Sequence, residues 1–438
     1  MTFHHADPGT PLGAWADATG PAIDVEGIAR VVVVAAHPDD ESLGAGGLLA
    51  RCARLGVPAD VLIATDGDAS HPRSPTHSRA ELGARRRRES VVAAAAVGVD
   101  ADRLVHLGVA DGAVAQHEDD VVAAIVDLVG DGRGVLLVAP YRGDGHPDHE
   151  AAGRAAAIAA RRTDARLLEY PIWLLHAAEP SALADAQLVH LALDDAERHA
   201  KHAAIDAHAS QVHPLSDEPG DEVLLGSHVL DRFRTGIERY VVAPPIVDDR
   251  LDRLHVDEQE PWGADRRWYE RRKRSLLLAM LPAERLGRVL EVGCSTGVTT
   301  AALAARADEV VALDASPAAL ARAAERTEGL PVRLLLGDVP WTWPDGRFDL
   351  VVVSELGYFL SPAALEALVE RVAGSLSPHG AVALCHWRHP VRGWVLDADA
   401  VHAAFDVEAV PPRAASYADG DVRMELRAHR RTMPDAGR

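Results

Sequence analysis

Val31-Val32-Val33-Val34-Ala35-Ala36-His37-Pro38-Asp39-Asp40-Glu41 decides the fold of the first half of this chain. Four consecutive valines have no polar face, so they predict a strand covered on both sides, as in the centre of a parallel sheet. Ligands of such sheets bind beyond the carboxyl ends of the strands, which is where His37, Asp39 and Asp40 fall. A second stretch has the same build. Gly134 to Pro140 is apolar, the polar loop Tyr141 to Gly145 follows, and His146-Pro147-Asp148-His149 closes it. Each cluster leads into an Ala/Gly-rich helical stretch, Leu43 to Leu55 and Ala151 to Arg161. For either cluster alone a solvated turn is the ordinary alternative, since Pro and Asp favour turns. Two clusters at the ends of two buried strands point instead to a split metal site, because two imidazoles and a carboxylate are the makings of an open catalytic zinc site.

Farther along, Arg288-Val289-Leu290-Glu291-Val292-Gly293-Cys294-Ser295-Thr296-Gly297 reads as strand, glycine turn and helix. Val310 to Asp314 supplies a second strand ending in an acid, near the ~20-residue spacing of a ribose-binding carboxylate. A lone glycine-rich turn has an ordinary βα turn as its alternative. Two further strands, Val332 to Leu336 before Gly337-Asp338 and Phe348 to Glu355, extend the pattern. The fold class predicted is α/β, with two Rossmann-like domains, each a mainly parallel sheet covered by helices on both faces. Residues 1–245 are assigned to the first domain and 262–438 to the second, beginning with a helix at Trp262. The acidic, proline-bearing stretch 246–261 is read as the linker. Residues up to Asp24 are expected to be irregular and the tail after Met433 frayed. Leu167 to Trp173 predicts another strand, and Lys201 to Gln211 a helix ended with the help of Pro214 that borders the cleft.

A net charge of -21 over 438 residues argues against nucleic acid, which needs a basic footprint, and fits a neutral or cationic substrate. No apolar run approaches the roughly 18 residues of a membrane span, and Met1 to Gly20 lacks the basic start and apolar core of a signal peptide. Cys52, Cys294 and Cys385 are too few and scattered for a disulfide framework, so a reducing cytoplasm is expected. Nothing in the sequence forces a dimer, and the oligomeric state stays open. Arg85 to Arg88 is either a solvated helix face or a source of substrate contacts, while His202 and His208 read as surface or packing histidines.

With these motifs in view, Ala36-His37-Pro38-Asp39-Asp40-Glu41 together with His146-Pro147-Asp148-His149 resembles the PIG-L (LmbE-like) family of metal-dependent N-deacetylases. Thr65-Asp66-Gly67, Arg85 to Glu89 and Gly143-Asp144-Gly145 fall where that family has equivalents. The resemblance implies that His37, Asp40 and His149 are the metal ligands and Asp39 the general base. It also implies that His146, oriented by Asp148, stabilises the oxyanion or protonates the leaving amine. Zn2+ and Fe2+ suit two His and a carboxylate alike. Arg85 and Arg88 are the candidate substrate arginines. Some family members have a tyrosine where this chain has Asp144, which joins the candidate substrate contacts.

The second half resembles a class I S-adenosylmethionine-dependent methyltransferase rather than a nicotinamide enzyme, because the turn lacks G-x-G-x-x-G. On that resemblance Glu291, Gly293 and Gly297 frame the methionine moiety, with Cys294 and Ser295 in the turn between them. Asp314 and Ala315 meet the ribose, Asp338 and Val339 lie near the adenine, and Ser354 ends the neighbouring strand. Ser295, glycine in many members, narrows the turn slightly without abolishing binding. More narrowly, Trp268 to Arg274, Ser354 to Leu360 and His386-Trp387-Arg388 are similar to the NodS-like branch, which is associated with methylation of amino-sugar nitrogens. Glu355 and Tyr358 are candidate acceptor contacts, since a carboxylate there can orient an ammonium or accept its proton. For Tyr358 and Trp387 the alternative is burial as core aromatics. The fusion implies a bifunctional enzyme that deacylates an amino sugar or glycoconjugate and then methylates the freed amine. The alternatives are two uncoupled activities, a deacylase beside an O- or N-methyltransferase on another acceptor, or one domain retained as a non-catalytic binding module.

Overall fold

A computed structural model describes residues 7–183 and 186–429, so the tail after Met433 lies outside the described residues. The chain divides into compact units at Met1–Ile246 and Val247–Arg438. In the first, β1 (Arg30–Ala35), β2 (Ala59–Thr65), β3 (Leu104–Val109), β4 (Val135–Pro140), β5 (Arg166–Tyr170), β6 (Gln187–Ala192) and β7 (Ile237–Val242) form one sheet in the order β3-β2-β1-β4-β5-β7-β6. β1 to β5 pair in parallel and β7 runs antiparallel to both its neighbours. Val31 to Val34 are fully buried, with the helices Asp40–Leu55, Glu118–Val129 and Pro147–Arg162 packed against β1. The apolar run thus does what its composition requires.

The register of β1 on β4, Val31 opposite Leu136 and Val33 opposite Val138, sets the carboxyl ends of these two strands side by side. Chain order reverses between them, β2 and β3 lying to one side and β5 to the other, which makes this end the topological switch point. His37 to Glu41 leave β1 there, and Tyr141 to His149 leave β4.

The second unit repeats the arrangement with unrelated sequence. Its strands are β8 (Leu286–Val292), β9 (Ala307–Asp314), β10 (Val332–Leu336), β11 (Phe348–Ser354), β12 (Leu376–Trp387), β13 (Arg413–Ala418) and β14 (Val422–Arg427). They order as β10-β9-β8-β11-β12-β14-β13, with β14 antiparallel. The switch point lies between β8 and β11.

Several local readings shift. The stretch 246–261, read as a linker, contains the helix Arg250–Asp257, and the helix expected from Trp262 begins at Trp268. The first-domain helix starts at Asp40 because Asp40 and Glu41 occupy its first turn, where carboxylates complement the helix dipole. Residues 167–173 divide into β5 and a short helix, Trp173–Ala177. The helix expected over 201–211 spans Asp195–Ala207, opened by a capping box of Asp194 and Glu197 and interrupted at His208. Leu12–Trp15, in the stretch expected to be irregular, forms a 3-10 turn. No helix among the described residues is long and apolar enough to cross a membrane.

Candidate active sites

His37, just past β1, and His149, in the helix Pro147–Arg162 that follows β4, both face Asp40. His37 Nδ1 lies 3.6 Å from Asp40 Oδ2, and His149 Nε2 lies 3.3 Å from Asp40 Oδ1. Two ligand atoms at about 2.1 Å from a shared tetrahedral ion stand about 3.4 Å apart, so the spacing of His149 Nε2 from Asp40 Oδ1 fits ligation of one ion. Asp40 Oδ2 accepts the backbone N–H of Ala36 (3.0 Å) and His37 (2.8 Å), which leaves Oδ1 as its ligating oxygen. The nitrogens of His37, His146 and His149 also come within 4.8 Å of one another. The surrounding charge suits a cation. Burial alone lowers the pKa of His149, yet Asp40 and Asp144 raise it to about 9.

Behind the ligands, the structure redistributes the expected roles. Asp144, the candidate substrate contact, is buried behind His149 instead. Its Oδ2 accepts from His149 Nδ1 at 2.8 Å and from Trp173 N at 3.0 Å, while Oδ1 accepts from Ile172 N (2.7 Å) and Leu174 N (3.0 Å). One carboxylate therefore fixes the tautomer of His149 and caps the helix that opens at Trp173. The carboxylate of Asp148 does not orient the ring of His146. It lies in the first turn of the helix Pro147–Arg162 and points into the loop after β3, where it accepts from Gly112 N (2.8 Å) and Val114 N (3.2 Å). There it faces His37 Nε2 at 3.3 Å. Asp111, which no sequence signal singled out, faces the same nitrogen at 3.4 Å. His146 is held by the backbone, its Nδ1 accepting Asp148 N–H at 3.3 Å, so the ring proton belongs on Nε2. Burial, and then the neighbouring histidines, push its pKa down to about 3, so the ring is neutral.

Asp39 stands at the N-cap of the helix Asp40–Leu55 with φ 136°, a conformation costly for a side-chain-bearing residue. Arg86 secures it, donating to Asp39 Oδ2 (3.0 Å), Pro38 O (2.6 Å) and Gly67 O (2.8 Å). Burial raises the pKa of Asp39 to about 6 against the pull of Arg86. Arg86 thus replaces Arg85 and Arg88 as the arginine of this site; Arg85 pairs with Glu89 at 3.0 Å and Arg88 is exposed. The helical period carries the signal, since Leu82, Arg86, Ser90 and Ala94 share one buried face. These groups line a cavity of about 470 Å³ walled by Ile172, Trp173, Leu224 and Leu225, with Gln211 from the expected bordering segment. His202 stands outside its lining, and His208 is buried against Glu41 at 3.2 Å as a packing residue.

In the second unit the turn after β8 holds the expected cofactor residues. Gly293 (φ 75°) and Gly297 (φ 76°) take left-handed conformations, and a Cβ on Gly297 would meet Ala323 at 3.0 Å. Ser295 (φ 48°) does so with a side chain, its N–H donating to Asp314 Oδ2 at 2.7 Å and its Oγ without a hydrogen-bond partner. Asp314 Oδ1 accepts Ser316 N at 2.9 Å, so about two of its roughly four acceptor sites remain for ribose hydroxyls. Glu291 accepts from Thr300 Oγ1 at 2.6 Å, and burial raises its pKa to about 8, a cost that a cationic ligand end relieves. A glycine cradle, an unpartnered hydroxyl and two acids fit S-adenosylmethionine. Cys294 is buried in the turn, Ala315 is exposed beyond β9, Asp338 is exposed and Val339 buried after β10, and Ser354 ends β11. Ser295→Gly is expected to stabilise the unit by about 1 kcal/mol, since a left-handed residue with a Cβ costs about that much. A thermal melt checks it.

Glu355 leaves β11 beside that turn with φ 56°. Its Oε1 accepts from Lys273 Nζ at 3.0 Å, and its Oε2 accepts from the Tyr358 hydroxyl and from Trp387 N at 3.3 Å. Tyr358 is buried, as a core aromatic would be, whereas Trp387 is 38% exposed. Among the described residues, the non-glycine positions with positive φ are Asp39, Ser295 and Glu355. Such strain persists where the surroundings over-determine it, as at functional sites.

Comparison with known proteins agrees with this division. Residues 32–160 match the family model of GlcNAc-PI de-N-acetylase (PIG-L), and residues 289–380 match a methyltransferase domain. Nodulation protein S of Sinorhizobium fredii is 31% identical over 144 residues, 32% of this chain and 63% of that protein. A probable N-acetyl-alpha-D-glucosaminyl L-malate deacetylase of Bacillus subtilis is 32% identical over 137 residues, 30% of this chain and 61% of that one. The chain thus spans about three-fifths of the length of these two relatives. An uncharacterized methyltransferase of Synechocystis is 33% identical over 159 residues, 36% of this chain and 68% of its own. The chain joins a PIG-L domain, residues 32–160, to a methyltransferase domain, residues 289–380, with NodS-like relatives.

Proposed function

We propose that the first unit uses a divalent metal to hydrolyse an N-acetyl or other N-acyl group from an amino sugar or glycoconjugate. The second unit then transfers a methyl group from S-adenosylmethionine to the amine set free. The convergence of His37, Asp40 and His149 beside Asp39 carries the hydrolytic reading. A zinc or ferrous ion held there supplies Lewis-acid polarisation of the amide carbonyl and a more acidic water. Asp39 takes a proton as the water oxygen bonds to the carbonyl carbon, and His146 Nε2–H donates to the oxygen on which negative charge builds. The proton on Asp39 passes to nitrogen as the C–N bond breaks, and the second proton of the water leaves the new carboxylic acid for the amine, giving a carboxylate and an ammonium.

The amino-sugar class is supported by the Bacillus subtilis relative's name and by a cavity that sets the apolar wall of Ile172, Trp173, Leu224 and Leu225 against polar and charged groups such as Ser70, Arg86, Asp111 and Gln211, a mixture that suits a saccharide ring and its hydroxyls. In the second unit, S-adenosylmethionine supplies an electrophilic methyl. Glu355, fixed on both oxygens, orients the acceptor's ammonium and takes its proton, so that the nitrogen lone pair forms the new N–C bond as the S–C bond breaks.

The test of the hydrolytic half is metal content together with acetate release from methyl N-acetylglucosaminide. Bound zinc or iron and release that disappears on chelation are expected, and release unaffected by chelation contradicts the reading. A second expectation concerns pH. Asp39 works deprotonated, so the rate is held above its pKa and falls as pH drops through about 6. Arg86→Met removes the charge that pulls this pKa down, and the acid limb of the pH–rate profile moves to higher pH.

A further inference from the structure

We propose that His255 is a ribose-binding residue of the S-adenosylmethionine site and that Glu260 is the positioning residue that keeps it there. The inference rests on reading the second unit as an S-adenosylmethionine enzyme. Both residues lie upstream of the matched methyltransferase domain, in the stretch whose composition reads as a linker.

That stretch is fastened to the elements framing the cofactor turn. The helix Arg250–Asp257 packs on the helix Pro317–Arg326, which opens just beyond Asp314. Arg322 on the latter donates to the carbonyls of His255 (2.7 Å) and Glu258 (3.2 Å). Glu260 spans turn and helix, accepting from Thr296 Oγ1 at 3.0 Å and from Arg326 at 2.5 Å. Thr296 follows Ser295, whose N–H is already on Asp314.

His255 is the buried residue of its helix, 6% exposed, and the Trp262 ring stands edge-on to it at 6.5 Å. Its Nδ1 has no hydrogen-bond partner among the described residues. A buried polar atom left unpaired costs about 1–3 kcal/mol, so an orphan here is better explained by a ligand than by packing. Burial lowers the pKa of His255, with Asp314 near enough to draw it up and Arg322 to draw it down, so the ring is neutral. The two groups are complementary. A diol has two O–H donors and acceptor oxygens; the Asp314 carboxylate only accepts, and a neutral imidazole supplies the N–H that meets a hydroxyl oxygen.

Calorimetric titration of the full chain with S-adenosylhomocysteine tests this. His255→Ala is expected to weaken binding by about tenfold, with a smaller loss for Glu260→Gln and partial recovery in His255→Gln, whose amide still donates. The same tenfold loss is expected for methylthioadenosine, which keeps the ribose and lacks the amino-acid end. Wild-type affinity in His255→Ala overturns the proposal, and a loss seen with S-adenosylhomocysteine but not with methylthioadenosine overturns the ribose assignment. Should His255→Ala melt early, His255→Gln and Glu260→Gln decide, and unchanged affinity in both overturns it. A wild-type chain that binds neither ligand defeats the reading of the whole unit, an outcome distinct from failure of His255 alone.

Discussion

Asp39→Asn is expected to slow acetate release by about a hundredfold to ten-thousandfold, the range that a positioned general base contributes, while metal stays bound. The amide keeps the shape of the carboxylate, and Arg86 keeps its bonds to Pro38 O and Gly67 O, so the fold is held. The neighbouring position separates base from ligand. Asp40→Asn removes the charge between His37 and His149 and is expected to lose metal and activity together. Metal analysis beside the acetate assay distinguishes the two variants. Equal metal loss in both would mean that Asp39 is a ligand rather than the base.

Asp144→Ala is expected to have the largest effect on stability. It strips an acceptor from three backbone N–H groups at the start of the helix Trp173–Ala177 and from His149 Nδ1, all at a buried position. Leaving such groups unpaired costs about 3 kcal/mol or more in total, seen as a lower melting temperature of the metal-free protein. Metal affinity should also fall by about 10–100-fold, because His149 loses the partner that orients it. Asp144→Asn retains Oδ1 for Ile172 and Leu174 and is expected to melt closer to wild type, yet with a similar loss of metal affinity. If both variants bind metal normally in a chelator competition, Asp144 serves the helix alone.

Composition made the two sheets legible where strands are buried on both faces. Val31 to Val34 and Leu350 to Val353 have no polar side, and the site residues follow them closely. The antiparallel strands were harder to read. β6, β7 and β13 carry Gln187, His190, Arg239 and Arg413 and are partly exposed, so their pattern resembles that of polar loops. The candidate ligands were legible because His and Asp cluster at strand ends. The roles of Asp148 and Asp144 were not, because a side chain's partner depends on loops from β3 and β5 that sequence spacing does not place. Arg86 was hidden among four adjacent arginines that only the helical period separates. Glu260 looked like linker acid because Thr296 and Arg326, its partners, are distant in sequence.

The most direct test of the central claim is mass spectrometry of a single incubation of the full chain with its metal, S-adenosylmethionine and a panel of N-acetylglucosaminides. The account expects loss of one acetyl group that depends on Asp39, followed by gain of methyl groups on the same molecule, with no methylation of the still-acetylated sugar. Deacetylated product that accumulates without ever gaining a methyl group, while the chain binds S-adenosylmethionine, would contradict it.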